Sequence, residues 1–97
     1  MIIILKLPFN LPDYLEELTC SSNKIELLPY LPVSLEYLEC TDNYLKQLPQ
    51  NLLNLKLLYC NDNQIIELQL NLPISLNQLN FMNNKYRKIS FCKRDYI

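Results

Sequence analysis

Leu35-Glu36-Tyr37-Leu38-Glu39-Cys40-Thr41-Asp42-Asn43-Tyr44-Leu45-Lys46-Gln47-Leu48-Pro49 is spelled, with changes, four times in this chain. Its counterparts are LEELTCSSNKIELLP from Leu15, LKLLYCNDNQIIELQ from Leu55 and LNQLNFMNNKYRKIS from Leu76, so the steps are 20, 20 and 21 residues. The letters that hold form Leu-x-x-Leu-x-Cys-x-x-Asn-x-Leu/Ile, with Phe81 at the Cys position of the last copy. A short fixed period that fills nearly the whole chain makes each copy one structural unit, stable only when stacked on its neighbours.

Within the first copy, Leu18 and Cys20 alternate with Glu17 and Thr19, the period-two pattern of a short strand with one face buried. Such strands are expected to pair in parallel with their equivalents, about 4.8 Å apart. Period and motif together predict a leucine-rich-repeat solenoid with a parallel sheet on its concave side. The Asn three residues after the Cys position recurs as Asn23, Asn43, Asn63 and Asn84. A side-chain amide there can satisfy backbone groups where the chain turns inward, giving a buried asparagine ladder; the alternative is an exposed turn residue in an Asn-rich chain.

The prolines, Pro8, Pro12, Pro29, Pro32, Pro49 and Pro73, fall between the repeat cores. Proline fixes φ and lacks an N–H, so the convex side is expected to be extended and polyproline-like rather than helical. Leu31, Leu52 and Leu72 should close each coil from that side. The expected organisation is one domain over 1–97, with a partial coil over 1–14, repeats near 15–34, 35–54, 55–75 and 76–90, and a short basic segment over 91–97. Ile4 to Pro8 match Ile25 to Pro29, which makes the opening a truncated coil without a capping helix.

Composition is lopsided: 22 Leu and 12 Asn, and no Gly, Ala, His or Trp. Residues 1–84 carry four Lys against nine acidic residues, a net −5, whereas Lys85, Arg87, Lys88, Lys93 and Arg94 against Asp95 make residues 85–97 +4. No stretch approaches the roughly 18 to 20 apolar residues of a membrane span, and Lys6 and Pro8 interrupt the apolar Ile2-Ile3-Ile4-Leu5 well short of a signal sequence. A cytoplasmic protein is expected, in the host cytoplasm if the source is a pathogen or a virus.

LPxLPxSLxxLxCxxNxLxxLP, which runs here from Leu28 to Pro49, resembles the short repeats of YopM-type and IpaH-type leucine-rich-repeat effectors, and similar repeats of large amoebal DNA viruses. The resemblance covers residues 4 to 89. It implies a right-handed solenoid, of the α/β class by family and here mainly β, that binds protein through its concave sheet. Effectors of that type open with an α-helical hairpin and usually have more repeats, and neither is found in these 97 residues. The ubiquitin-ligase members carry a separate catalytic domain after the repeats, so ligase activity does not carry over.

Cys20, Cys40 and Cys60 are the residues most suggestive of chemistry. Metal sites from one chain typically use closely spaced pairs and often His, and neither pattern is present. The repeat frame puts these cysteines on the inward side, where small apolar thiols pack as core. Disulfides between in-register neighbours would strain the ladder. Cys40-Thr41-Asp42 and Cys60-Asn61-Asp62 also spell the C-x-D of a ligase nucleophile, but thiolate chemistry needs an exposed sulfur of lowered pKa. No catalytic residue, metal or cofactor is therefore assigned, and the protein is expected not to be an enzyme.

The outward strand letters vary from repeat to repeat: Glu17, Tyr37, Leu57, Gln78 in one column and Thr19, Glu39, Tyr59, Asn80 in the next. Tyr37, Leu57 and Tyr59 are expected to meet at the centre, with Glu17, Glu39, Asp42 and Asp62 among the acidic residues around them. An apolar, aromatic centre inside a charged rim is how interface hot spots are built, and an acidic rim favours a partner with a basic surface. The same residues would equally serve as cross-strand pairs that stabilise the sheet. A second expectation is self-association into a homo-oligomer through the uncapped Ile2-Ile3-Ile4 end. The basic C-terminal segment lacks the aromatics or amphipathic repeat of a specific nucleic-acid or membrane site, and reads as a solvated face.

Overall fold

The computed structural model describes residues 11–47, 52–70, 73–85 and 88–91, with 67–70 and 88–91 described by their backbone alone. Its strands are β1 (Glu17–Thr19), β2 (Tyr37–Glu39), β3 (Leu57–Tyr59), β4 (Glu67–Leu70), β5 (Gln78–Asn80) and β6 (Lys88–Phe91), and none of the described residues is helical. Four strands, one from each copy of the motif, form a parallel sheet in the order β1-β2-β3-β5. Glu17, Tyr37, Leu57 and Gln78 are successive partners across it, as are Thr19, Glu39, Tyr59 and Asn80. The chain is mainly β, and its radius of gyration of 12.6 Å is that of a compact chain of this length.

Each strand is short because both of its ends are fixed by local chemistry. A β-turn leads in, closed by N–H···O bonds from Leu15 to Pro12, Leu35 to Pro32, Leu55 to Leu52 and Leu76 to Pro73, at 3.1 to 3.3 Å. The exit is a single left-handed residue in every repeat: Ser22, Asp42, Asp62 and Asn83, with φ between 56° and 59°. In a chain without glycine, Asp and Asn are the residues that adopt this conformation at least cost. The left-handed residue turns the chain inward, so that the next residue is the motif Asn.

The asparagines form the ladder. Asn43 Nδ2 donates to the carbonyls of Cys40 and Thr41 in its own repeat and of Cys20 in the preceding one, while its Oδ1 accepts the Ile25 N–H. Asn63 repeats the pattern with Cys60, Asn61, Cys40 and the Leu45 N–H, and Asn84 with Phe81, Met82, Cys60 and the Ile65 N–H. A second set of bridges lies at the strand entrance. Ser34 Oγ is placed to donate to the Leu15 and Asp13 carbonyls, Asn54 Nδ2 donates to the Val33 carbonyl, and Ser75 Oγ bonds the Leu55 carbonyl.

Inward-facing Leu35, Leu38, Cys40, Leu45, Leu55, Leu58, Cys60 and Ile65 make up the core. Burial weakens at the two ends of the sheet: Leu38 and Leu58 are closed off, whereas Leu18 and Leu79, the matching residues of β1 and β5, are half-buried. Leu31 and Leu52 are buried as expected, although Leu52 fills the turn position that Pro32 and Pro73 occupy elsewhere. Leu72 lies outside the described residues.

The return limb differs from expectation in one place. β4 and β6 pair in parallel as a second, two-stranded sheet, with Glu67 opposite Lys88, Leu68 opposite Ile89, Gln69 opposite Ser90 and Leu70 opposite Phe91. Among the described residues the pairing occurs only there, and the repeat frame supplies a reason. Gln69 and Ser90 stand where the earlier repeats have Pro29 and Pro49, and a residue without an N–H cannot complete a ladder. Phe91 is the last residue of β6.

Candidate functional site

Alternation along β1, β2, β3 and β5 gives the four-stranded sheet one face that the core does not use. On it Glu17, Thr19, Tyr37 and Gln78 are exposed, and Glu39, Leu57, Tyr59 and Asn80 are half-buried. Register makes Tyr37 the direct neighbour of both Glu17 and Leu57, and Tyr59 the direct neighbour of both Glu39 and Asn80. Tyr37 and Tyr59 are therefore diagonal neighbours. Tyr59 also reaches across to β5, where its hydroxyl donates to Gln78 Oε1 at 2.7 Å.

Asp42 and Asp62 lie past the strand ends, exposed on the left-handed turns. Their residue type has a backbone cause, since Asp tolerates that conformation. Asp62 is held further, its two carboxylate oxygens accepting from Asn61 Nδ2 at 3.0 Å and Asn83 Nδ2 at 2.9 Å. Beside them Thr41 Oγ1 donates to Asn61 Oδ1, and the Thr41 N–H donates to Ser21 Oγ, so this edge of the face is a polar lattice. Glu17 and Glu39 have no such backbone cause: Glu39 is on the interior strand β2, which gives no structural preference for glutamate, and Glu17 is on β1 at the edge of the described sheet, where an exposed charge is common.

Lys56 enters at the start of β3 and binds Glu36 at 3.0 Å, both side chains partly exposed. The Glu36 carboxylate, first by its hydrogen bond and then by its charge, holds the Lys56 ammonium above its usual pKa. It is the one cation among the described residues for which an ion pair is found, and its charge is spent on Glu36.

The sequence left one feature unassigned. An open depression of about 670 Å³ runs along β5, lined by Tyr59, Asn77, Gln78, Leu79, Asn80, Phe81 and Met82. Gln78 was visible as a column partner of Tyr59's strand, but nothing in the letters marked a depression at β5, whose lining takes in the inward Leu79 and Phe81 as well as outward residues. Exposed apolar side chains also occur away from the face, at the turns: Val33, Leu53 and Ile74 share one repeat position, with Tyr14 and Tyr30 nearby in sequence.

Cys20, Cys40 and Cys60 line the interior, each at most 1% exposed. Their thiols lie 3.7, 3.4 and 3.5 Å from the carbonyls of Glu39, Tyr59 and Asn80, in the direction of weak S–H donation. Burial pushes Cys20 up to about 11 and Cys60 to about 12. Cys40 is raised well above the ordinary thiol range, by burial first and then by the neighbouring Cys60 and Cys20. The thiols are protonated at neutral pH, the reverse of what a nucleophile requires. Among the described residues no group of His, Cys, Asp or Glu is arranged to hold a metal ion, and no helix is long and apolar enough to cross a membrane. The Ile2-Ile3-Ile4 end and most of the basic C-terminal segment lie outside the described residues. No protein-family profile matches the chain, and no curated protein matches it.

Proposed function

We propose that the chain is a non-enzymatic protein-interaction module of the cytoplasm, built as a right-handed leucine-rich-repeat solenoid. It binds a partner protein through the outward face of the β1-β2-β3-β5 sheet. The observation that carries this proposal is the division between the two faces of the same strands. Inward positions repeat Leu and Cys and are buried wherever both neighbours are present, whereas outward positions change from strand to strand and leave Tyr37 exposed near the centre. The scaffold does not need those letters, and aromatic side chains in such a setting dominate binding energy.

Replacing Tyr37 and Tyr59 together by Ala is expected to weaken capture of partners from a cytosolic extract by about tenfold or more, with the circular dichroism spectrum unchanged. Undiminished capture by the doubly substituted protein would remove the face from consideration.

A further inference from the structure

Charge on the proposed binding face is one-sided. Around β1, β2 and β3 stand Glu16, Glu17, Glu36, Glu39, Asp42 and Asp62 against the single ammonium of Lys56, which Glu36 engages. Asp42 and Asp62 are explained by their left-handed backbone, and Glu36 by its ion pair. Glu17 and Glu39 are left, with no ion pair found for either among the described residues and no conformational reason for their type.

Both lie next to Tyr37. Glu17 is its register partner on β1, about 4.8 Å away between backbones, and Glu39 is two residues further along β2 on the same face, about 6.6 Å away. An exposed aromatic ring with two free carboxylates beside it is the complement of a guanidinium, which stacks on an aromatic face and bonds carboxylates through its planar fork. Toward β5 the character changes. Leu57 and Tyr59 follow, then the uncharged Gln78 and Asn80, so the face runs from acidic through apolar to amide. Three strand spacings make about 14 Å, which an extended chain covers in about four or five residues.

Resting on the protein-binding face proposed above, we infer that its occupant is a short basic linear segment of the partner protein. One arginine lies against Tyr37 between Glu17 and Glu39, and the apolar or neutral residues that follow pass over Leu57 and Tyr59 toward the β5 depression.

The test is selection from a displayed library of random decapeptides on the intact chain. Arg should be enriched over both Lys and Gln at one position, with an apolar residue within the next few. Affinity of a selected peptide should fall about five- to tenfold in the Glu17→Gln, Glu39→Gln protein, the sum of two exposed ion pairs. It should be unchanged in Glu26→Gln, which removes a carboxylate exposed away from the strands. Selection of no binders, no enrichment of Arg, or an equal loss with Glu26→Gln overturns the inference. If selected peptides depend on Tyr37 and Tyr59 but show no arginine preference, the inference fails and the binding face stands. Peptides that bind equally well when both tyrosines are Ala sink both.

Discussion

Asn43→Ala tests whether the stack is held together by its asparagines. Asn43 is 4% exposed and makes four hydrogen bonds, so its removal touches two repeats at once. The carbonyls it leaves keep other donors. Cys20 O still accepts from Asn23 Nδ2, Cys40 O from Asn63 Nδ2 and Thr41 O from the Ser22 N–H. The Ile25 N–H loses the Asn43 oxygen, and Ile25 is 1% exposed, out of reach of water. Stranding that donor costs about 1–3 kcal/mol, and the two best amide bonds add about 1 kcal/mol each, for a total of about 3–5 kcal/mol. With a urea m-value of about 1.5 kcal/mol/M, the unfolding midpoint should fall by about 2–3 M. Asn84→Ala is the internal comparison. It strands the Ile65 N–H in the same way, since Ile65 is 0% exposed, but Asn84 itself is half-buried, so water replaces part of what its own amide loses and the total cost should be about 1–3 kcal/mol. Urea titrations followed by circular dichroism decide the matter: both substitutions should destabilise, Asn43→Ala the more, and a loss below about 1 kcal/mol for Asn43→Ala would refute the ladder as a source of stability.

Two further outcomes follow from the turns and the thiols. Ser22→Asn should stabilise the fold by about 0.5 kcal/mol, because Asn adopts the left-handed conformation at φ 59° more readily than Ser; an unchanged or lower melting temperature would contradict the backbone explanation of this column. Stability should decline in alkali. Unfolded thiols ionise near 9.0, whereas native Cys20 and Cys60 hold their protons to about 11 and about 12, so the folded state binds more protons in that window. Their contribution is complete below pH 9 and is lost as pH rises toward those values, at up to about 1.4 kcal/mol per pH unit for each thiol. The urea midpoint measured from pH 8 to 10.5 should fall less steeply in Cys60→Ala than in the native chain, and an identical slope would show that the thiols are not shielded.

The parallel sheet, its in-register columns, the buried cysteines and the asparagine ladder were all legible in the letters. Each depends on a residue's place in a repeat of fixed length, and stacking equal units leaves little freedom in which residues meet. The β4-β6 pairing was not read from the letters, although Gln69 and Ser90 stand where Pro29 and Pro49 stand in the earlier repeats.

By itself, then, the sequence determined which residues face inward, because burial selects for apolar letters at a fixed period. It also named the outward residues, but only as a set. The tertiary structure decided how they are arranged: Tyr37 stays exposed between Glu17 and Leu57, while Tyr59 turns away to bond Gln78. Packing likewise separated the carboxylates that suit a left-handed turn, Asp42 and Asp62, from Glu17 and Glu39, which no left-handed backbone calls for. The arrangement of side chains on the outward face arises from contacts between repeats, and no single repeat contains it.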